Sequence, residues 1–483
     1  MNIKIVLNTL GRVILLEAVL LLLPAAVALL YGEVCIKALL CSACIAAVMG
    51  AALFLLFRTE KNNLNTRDGF AIVSLSWLSI SLIGALPFVI SGEIPRFIDA
   101  FFETVSGFTT TGASILTDVE RMSRGLLFWR SFTHWLGGMG VLVFVMAIMD
   151  KAPDRSINIL RAEMPGHSVD KLTPKARSTA KTLYYIYLAM TAAEFILLLC
   201  GGMPLFDSAV HALGTAGTGG FGIKSDSIAS YSAYLQWVIT VFMLLFGVSF
   251  NVYFLLLLGR WKNAVASNNE LWCYLGIFAA AFLVVTANIY PMYGSLSLSG
   301  RLSAFQVSSI ITTTGYATAD FDLWPPLSRG ILFVLMFCGG CMGSTAGGFK
   351  ISRISALAQI AGNELKRSVS PRSVSAVRLN GRTLTEQEEK GILSYLVLYL
   401  SVIVSVFLLI SFEPFGFETN FTAAVSCVNN IGPGFALVGP AASYASYSAF
   451  SKAVLSLAML MGRLEIYPLL CLLIPQTWAS ARR

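Results

Sequence analysis

The sequence predicts an all-α integral membrane protein with about ten spans, in which four copies of one unit of helix, re-entrant half-helix, loop and helix surround a central pore. Three observations support this fold class. Of the 483 residues, 56% are hydrophobic and only 12% are charged, a composition typical of a membrane protein. Apolar stretches long enough to cross about 30 Å of hydrocarbon recur along the chain. A short polar loop centred on glycine also occurs four times.

The predicted spans follow one another with short connections, and two of them precede the first repeat. We interpret the first span as retained rather than as a cleaved signal peptide, because a second span follows at once. The spans are Val13–Leu30, Lys37–Phe57, Phe70–Ile90, Leu126–Met149, Leu183–Gly202, Tyr234–Leu258, Leu271–Tyr290, Gly330–Cys341 with an irregular continuation, Ile392–Phe412 and Ala453–Ile474.

The basic residues predict the orientation of the chain in the membrane. If both termini are cytoplasmic, the connections on that side hold 24 of the 34 Lys and Arg residues, as the positive-inside rule requires. This distribution also accounts for the net charge of +8 without a nucleic-acid partner, for which the chain has no basic surface interleaved with aromatic residues.

Four sequence segments can be aligned on a central glycine. They are FETVSGFTTTGAS, HALGTAGTGGFG, FQVSSIITTTGYAT and AAVSCVNNIGPGFA, aligned on Gly112, Gly219, Gly315 and Gly432. Each glycine follows a stretch long enough for two or three helical turns and precedes an outer loop and a further span. One copy alone would also fit a capped turn or a helix-packing surface, but four copies in the same setting favour a shared function.

Backbone without regular hydrogen bonds is tolerated at membrane depth only where it is buried in protein or lines a wet cavity. Four such loops can meet this condition together by converging on one axis. Each half-helix would direct the negative end of its dipole at that axis, and carbonyl and hydroxyl oxygens could replace the water shell of a cation. The repeats therefore predict a site for an ion without a redox or catalytic role.

At these loops the chain resembles the Trk/Ktr/HKT superfamily of potassium transporters, and its length and two additional N-terminal spans resemble the bacterial TrkH group within it. The resemblance covers essentially the whole chain. It includes the motifs FTTTGAS, AGTGGF, ITTTGYAT, NNIGPGF, HWLGGMGVLVF, GCMGSTAGGFKISR and GRLEIYPLL.

The resemblance implies that each repeat supplies one wall of a single potassium selectivity filter. Related plant proteins that favour sodium tend to carry serine in place of the glycine of the first repeat, so Gly112 favours potassium. The implied potassium-binding residues are Thr110, Thr111, Gly112 and Ala113; Gly217, Thr218, Gly219 and Gly220; Thr313, Thr314, Gly315 and Tyr316; and Asn430, Ile431, Gly432 and Pro433.

A glycine-rich stretch, FCGGCMGSTAGGFK, interrupts the span after the third loop. Each glycine costs a helix about 1 kcal/mol relative to alanine, so an uninterrupted helix is not expected, although small-residue helix packing remains an alternative. The resemblance implies an intramembrane gate below the filter. The gate would comprise Gly339, Gly340, Gly343, Ser344, Thr345, Ala346, Gly347, Gly348 and Lys350, together with Arg463 from the last span.

Arg463 and several other charged residues lie within or beside spans. A buried cation in a membrane is costly unless it is paired or hydrated, so Arg463 either bonds the gate loop or extends to the cytoplasmic interface. Arg130 and Lys452 are expected to extend to the outer interface. Near the half-helices, Asp99, Glu103 and Asp207 either add negative potential to an outer vestibule or cap the helices.

The predicted organisation has six parts. They are an N-terminal two-helix addition (1–60), pore repeats 1 (68–150), 2 (180–260) and 3 with the gate loop (270–362), a cytoplasmic linker (363–389) and pore repeat 4 (390–475).

The resemblance also implies a homodimer in the bacterial cytoplasmic (inner) membrane, with lipid around it and a cytosolic regulatory ring of the TrkA type. The chain has no GxGxxG motif, so a nucleotide, whether ATP, ADP or NAD, is expected only on that partner. No cofactor and no enzymatic activity are predicted for the chain itself. The sequence leaves open whether potassium passes through a channel-like pore or whether potassium or sodium moves by symport coupled to sodium or protons.

Overall fold

The computed structural model describes residues 2–58, 66–140, 176–372 and 375–478. The expected end of the first repeat and much of the following basic connection, residues 141–175, lie outside these ranges, as does residue 1, the connection at 59–65, residues 373–374 and the C-terminal residues 479–483.

Three helices form the N-terminal addition. They are α1 (Ile3–Leu20), α2 (Leu22–Leu30) and α3 (Ile36–Leu56). The expected first span is therefore two consecutive helices that join at Leu21. A pair of glycines brings α1 and α3 together, because a Cβ atom on Gly11 would lie only 2.8 Å from the carbonyl oxygen of Gly50.

The rest of the chain forms four series, each with a long helical segment, a half-helix and a helix after the loop. In the second, third and fourth series a further helix follows a break, whereas in the first series the corresponding continuation lies outside the described residues. The first series is α4 (Thr66–Gly84), α5 (Leu86–Ser91), α6 (Phe97–Phe108) and α7 (Arg124–Gly138). The second is α8 (Ala176–Cys200), α9 (Leu205–Gly217), α10 (Ala233–Phe246) and α11 (Phe250–Leu257), with a π-helical turn at Lys262–Ala266.

The third series is α12 (Asn269–Tyr293), α13 (Leu296–Ile311), α14 (Pro326–Met336) and α15 (Ile351–Val369). The fourth is α16 (Glu386–Ile410), α17 (Phe417–Asn429), α18 (Ala449–Arg463) and α19 (Tyr467–Leu473), followed by α20 (Pro475–Trp478). Short 3-10 turns lie at Phe321–Leu323, Ala436–Val438 and Tyr444–Ser446.

Between α15 and α16 lies a two-stranded antiparallel sheet of β1 (Arg378–Leu379) and β2 (Arg382–Thr383), in which Arg378 pairs with Thr383. The turn between the strands is Asn380-Gly381, both with positive φ, which is the sequence that favours a tight hairpin.

Within the described residues, six helical segments are long and apolar enough to cross a membrane, or up to seven if the bent pair α10 and α11 counts as one span. Of the remaining expected spans, Leu126–Met149 lies partly outside the described residues, and the others are short because their helices break. The bend between α10 and α11 is 87°, and α18 ends at Arg463 because Glu465 and Ile466 have positive φ. The expected span Ala453–Ile474 is therefore two helices.

The four half-helices are α6, α9, α13 and α17, and they lie in the interior. They contain 12 to 16 residues, or about three to four turns, which is one turn longer than expected. Every residue from Ala100 to Phe108 is buried. By contrast, the long helices around them expose side chains such as Leu283 and Val397, as helices facing lipid do.

Candidate functional site

The four half-helices end in the same backbone conformation. The residue after the helix or one position later is left-handed, with φ of 55° at Thr110, 55° at Thr218, 56° at Thr313 and 55° at Asn430. In each loop the following amide donates back to a carbonyl five residues earlier, as in a Schellman ending. These bonds are Thr111 to Ser106, Gly219 to Gly214, Thr314 to Ser309 and Ile431 to Ser426.

A glycine with positive φ follows two residues after each left-handed residue. The angles are 79° at Gly112, 75° at Gly220, 83° at Gly315 and 97° at Gly432. A residue with a side chain rarely adopts such angles, so these glycines permit the chain to turn from the helix axis into the loop.

The same glycines show that the loops form a closed ring. A Cβ atom built on Gly112 would lie 2.0 Å from the carbonyl oxygen of Gly219, and one built on Gly220 would lie 2.0 Å from that of Thr314. Each loop thus packs its glycine against the backbone of the next, with no room for a methyl group.

The third and fourth loops complete this circuit. A Cβ atom on Gly315 would lie 2.1 Å from the carbonyl oxygen of Ile431, and one on Gly432 would lie 2.7 Å from that of Thr111. The order of contact is therefore first to second, second to third, third to fourth and fourth back to first. We call this arrangement the filter ring.

The ring corrects the sequence alignment of the second loop by one residue. Gly220, not Gly219, is equivalent to Gly112, Gly315 and Gly432, and the wall equivalent to Thr110–Ala113 is Thr218–Phe221. The run GTAGTGG contains several glycines, so a glycine alone could not fix the register. The useful signal was the threonine two residues before the glycine, which Thr110, Thr218 and Thr313 share.

Hydrogen bonds from outside the ring hold its carbonyl groups in position. Ser309 Oγ donates to the carbonyl of Tyr316 at 2.6 Å, and both Ser426 Oγ and Tyr444 Oη donate to that of Gly432 at 2.8 Å. Asn430 Nδ2 joins the fourth wall to the first by donating to Thr111 Oγ1 at 3.0 Å. Ordered carbonyls of this kind suit a dehydrated monovalent cation.

Two histidines that the sequence left without a role also support the ring. His134 Nδ1 lies 2.7 Å from the carbonyl of Gly107, and the amide of Phe221 donates to its Nε2 at 3.3 Å. Because Nε2 accepts, the proton lies on Nδ1 and is donated to Gly107. His211 lies 3.4 Å from the hydroxyl of Tyr316. The sequence signal for these two residues was a polar imidazole side chain within a largely apolar helix.

On the side that the basic residues predict to be the outer one, the ring opens into a cavity of about 290 Å³. All four ring glycines line it, together with Ser114, Lys224 and Tyr444. On the inner side, a cavity of only about 50 Å³ is lined by Trp77, Gly138–Gly140, the glycine-rich stretch and Gly462–Glu465. The glycine-rich stretch thus lies close to the axis on one side of the ring.

The glycine-rich stretch is a loop without helical structure between α14 and α15. Gly339, Gly343, Gly348 and Lys350 have positive φ. The Gly347 amide donates to Thr313 Oγ1 at 2.7 Å, so the loop touches the ring directly. All the expected gate residues from Gly339 to Lys350 lie in this loop, and Arg463 comes from α18.

The break in the second repeat and the first turn of α12 hold this loop, a feature that the sequence did not reveal. The Cys341 amide donates to Gly247 at 2.9 Å, and Thr345 Oγ1 donates to Phe246 at 3.3 Å, both at the α10–α11 bend. The Met342 amide donates to Glu270 Oε1 at 2.6 Å.

Arg463 lies beneath the ring, as the sequence suggested as one alternative. Its guanidinium donates to the Thr345 carbonyl at 2.8 Å and to the carbonyls of Gly137 and Gly138, each at 2.5 Å. Lys350 Nζ donates to the carbonyl of Ala346. Glu465 pairs instead with Arg353. Arg463 therefore joins broken ends of the first and fourth repeats to the loop of the third.

Arg130 and Lys452 do not extend to the interface as expected. Arg130 lies 2.6 Å from Glu103 Oε1, and Lys452 lies 2.7 Å from Asp99 Oδ1. Both basic side chains are at most 5% exposed. The pairs form because α6 presents both carboxylates, four residues apart, toward α7 and α18. Glu103 and Asp99 thus carry paired charges, and Asp207 accepts a hydrogen bond from Tyr231 at 2.7 Å.

Among the described residues, no group of three or more His, Cys, Asp and Glu side chains could hold a metal ion. The oxygens of the ring and of the glycine-rich stretch are mainly those of backbone carbonyls and hydroxyls, which are ligands that suit a weakly held monovalent ion.

Comparisons with known proteins agree with this geometry. The TrkH family model, described as a cation transport protein, matches residues 36–287 and 272–480. The Trk system potassium uptake protein TrkH of Salmonella typhimurium is 34% identical over 99% of this chain and 100% of its own length. The Trk system potassium uptake protein TrkG of Escherichia coli is 32% identical over 99% of each chain.

A solved structure is similar over the same extent. The crystal structure of the potassium transporter TrkH from Vibrio parahaemolyticus superposes with a TM-score of 0.90 at 32% identity, covering 99% of this chain and 100% of that chain. These relatives are named as transporters or uptake proteins and not as enzymes. The chain therefore belongs to the TrkH family of cation transport proteins.

Proposed function

We propose that this protein carries out potassium uptake across the bacterial cytoplasmic membrane, through a channel-like pore with the filter ring as its selectivity filter. The observation that supports this most directly is the closed circuit of four glycines, each packed against the carbonyl of the next wall. Such a ring supplies backbone oxygens to a potassium ion that has lost its water. The relatives named as potassium uptake proteins support the choice of ion.

The potassium ligands would be backbone carbonyls and hydroxyls of the four walls. Thr110, Thr313 and Asn430 would place their side chains at the inner end. The Thr110 hydroxyl and Asn430 Oδ1 are buried and have no hydrogen-bond partner among the described residues, so both are free to face an ion. The outer cavity would collect hydrated ions before they enter the ring.

The glycine-rich loop from Gly339 to Lys350 would be the gate. The loop has irregular backbone, lies against the inner side of the ring and is held by hydrogen bonds that could be exchanged one at a time. The positive charge of Arg463 at the same level would repel cations while the loop is in place. Opening then requires two changes. The loop must give up its hydrogen bond to Thr313, and Arg463 must change its hydrogen-bond partners.

Regulation would come from a cytosolic nucleotide-binding ring of the TrkA type that binds ATP, ADP or NAD, and a homodimer would be the assembled form. The cytoplasmic segment from α15 to α16 supports this proposal, because it exposes apolar side chains, with Leu365 at 71% and Val369 at 85%, beside Lys366, Arg367 and the β1–β2 hairpin. Since α15 begins at Ile351, directly after the gate loop, movement of this segment would reach the gate.

The test is ion flux into liposomes that contain the purified chain. Potassium and rubidium should pass faster than sodium, and Gly315→Ser should lower this preference because its side chain would meet the carbonyl of Ile431. Flux should continue without a sodium or proton gradient, since a channel-like pore needs none. Equal flux of sodium and potassium, or a Gly315→Ser variant with unchanged preference, would contradict the proposal. Dependence on either gradient would favour symport.

A further inference from the structure

A buried ion pair lies directly behind the filter ring and contacts loops from two neighbouring walls. Its members are Glu103 in α6 and Arg130 in α7, with side chains 0% and 2% exposed. Neither residue belongs to the ring or to the gate.

The Glu103 carboxylate holds the chain where it leaves the first wall. It accepts hydrogen bonds from Ser114 Oγ at 2.9 and 3.1 Å and from the Ile115 amide at 2.9 Å. It also accepts from Arg130 Nε at 2.8 Å. Ser114 follows Ala113 of the first wall directly, so the position of Glu103 limits the position of that wall.

Arg130 extends the same cluster to the second wall. Its guanidinium lies 4.0 Å from the centre of the Phe221 ring and donates to the carbonyl of Gly222 at 3.4 Å. It also donates to Ser114 Oγ at 3.3 Å. Phe221 is the last residue of the second wall in the corrected register. One guanidinium therefore contacts both walls.

Two of the other three neighbouring pairs of walls are joined by backbone hydrogen bonds at the corresponding level. The Ile228 amide donates to the carbonyl of Ala317 at 3.0 Å, between the second and third loops. The Tyr444 amide donates to the carbonyl of Ser114 at 2.9 Å, between the fourth and first loops. In the described part of the chain, the third and fourth loops are joined instead by the Ala436 amide, which donates to Asp322 Oδ2 at 2.9 Å. No backbone bond joins the first and second loops there either, and the ion pair lies between them.

Stability alone does not account for this pair, because removing two charges from water costs about as much as their attraction returns. We propose that Glu103 and Arg130 are positioning residues that fix the distance between the first and second filter walls and so determine the preference for potassium over sodium. The inference rests on the proposed function of the ring. Loss of the pair would let the walls move and would weaken discrimination by ion size.

The experiment compares the potassium-to-sodium flux ratio in liposomes for the wild type, Glu103→Gln, the double variant Glu103→Gln/Arg130→Gln and Ser114→Ala. Glutamine keeps the shape of Glu103 but removes its charge, and the double variant leaves no unpaired buried charge. Ser114→Ala removes the serine hydroxyl that bonds both the Glu103 carboxylate and Arg130 but retains the ion pair, so it tests the inference even if the charge variants do not fold.

The chain offers a matched control in Asp99→Asn. Asp99 lies one turn earlier on the same helix and has its own buried partner, Lys452, but the pair makes no hydrogen bond to the four walls among the described residues. A general loss of stability should therefore appear in both variants, whereas a change in selectivity should appear only at Glu103 and Ser114.

We expect the ratio to fall by roughly fivefold or more in Glu103→Gln, less in Ser114→Ala, and not in Asp99→Asn. An unchanged ratio in Ser114→Ala and in every charge variant that folds would overturn the inference, as would an equal fall in Asp99→Asn. A wild type that does not prefer potassium would instead contradict the proposed function, so the two failures are distinguishable.

Discussion

The Gly347 amide donates a hydrogen bond to the Thr313 hydroxyl at 2.7 Å, which joins the glycine-rich loop to the third wall of the filter ring. In the proposed function, the same hydroxyl faces the inner end of the ion path. The loop and an ion would then compete for one oxygen, so potassium at the inner site and a closed gate would oppose each other.

Thr313→Val should raise resting potassium flux, because the loop loses its hydrogen bond to the ring. A buried hydrogen bond contributes about 1 kcal/mol, which corresponds to a severalfold change in the ratio of open to closed pores. Rubidium flux into liposomes without any partner protein measures this change.

Thr110→Val is the control for that substitution. Thr110 has the same backbone conformation in the first wall, but its hydroxyl has no hydrogen-bond partner among the described residues. If both variants raised flux equally, the bond from Gly347 would not hold the gate.

Arg463→Ala should also raise resting flux, by about tenfold or more, because hydrogen bonds from charged groups contribute about 1.5–3 kcal/mol each. The variant loses the bonds to Thr345, Gly137 and Gly138 as well as the positive charge. Potassium flux at equal amounts of reconstituted protein is the measurement. The flux of Arg463→Lys should lie between those of the wild type and Arg463→Ala, since lysine keeps the charge without the planar fork of donors. Unchanged flux in Arg463→Ala would argue against a gating role.

Gly220→Ala should abolish selective transport. A Cβ atom there would lie 2.0 Å from the carbonyl of Thr314, and the φ of +75° is unfavourable for alanine. Gly222→Ala is the control, because the nearest atom to its Cβ would be 3.5 Å away. Potassium and sodium fluxes for the two variants test the corrected register, which would be wrong if Gly220→Ala transported normally.

Asp322 should make stability depend on pH. Partial burial and the neighbouring Asp320 raise the pKa of its carboxyl from 3.8 to about 6, although the Ala436 amide and Arg329 act in the opposite direction. A group whose folded pKa is raised binds its proton more tightly in the folded state. Its favourable contribution is therefore present below about pH 4 and is lost as the pH rises through 6.

The measurement is the thermal unfolding midpoint in detergent between pH 4 and 7. Over this range the wild type should lose more stability than Asp322→Asn, whose amide does not titrate. Identical pH profiles would show that Asp322 does not contribute. Asp118→Asn, at a carboxylate whose side chain is 41% exposed, controls for the general loss of a carboxylate.

The class of the protein, the four repeats and most of the residues of the ring could be predicted from the amino-acid sequence. Composition and span length depend only on whether a segment lies in lipid or in water. A threonine two residues before a glycine depends only on the local backbone conformation, in which both have positive φ. FTTTGAS and ITTTGYAT could thus be identified without any knowledge of tertiary contacts. The interrupted third repeat was also visible, because glycines weaken a helix wherever they occur.

The register of the second wall, the breaks in the second and fourth repeats and the partners of the buried charges became visible only in the folded chain. What distinguishes Gly220 from Gly219 is its contact with the carbonyl of Thr314, which comes from another repeat. Arg130 and Glu103 are 27 residues apart, so sequence gave no reason to prefer pairing over an extended arginine. These features depend on which segments meet across the axis, and that is a property of the packed repeats rather than of any one of them.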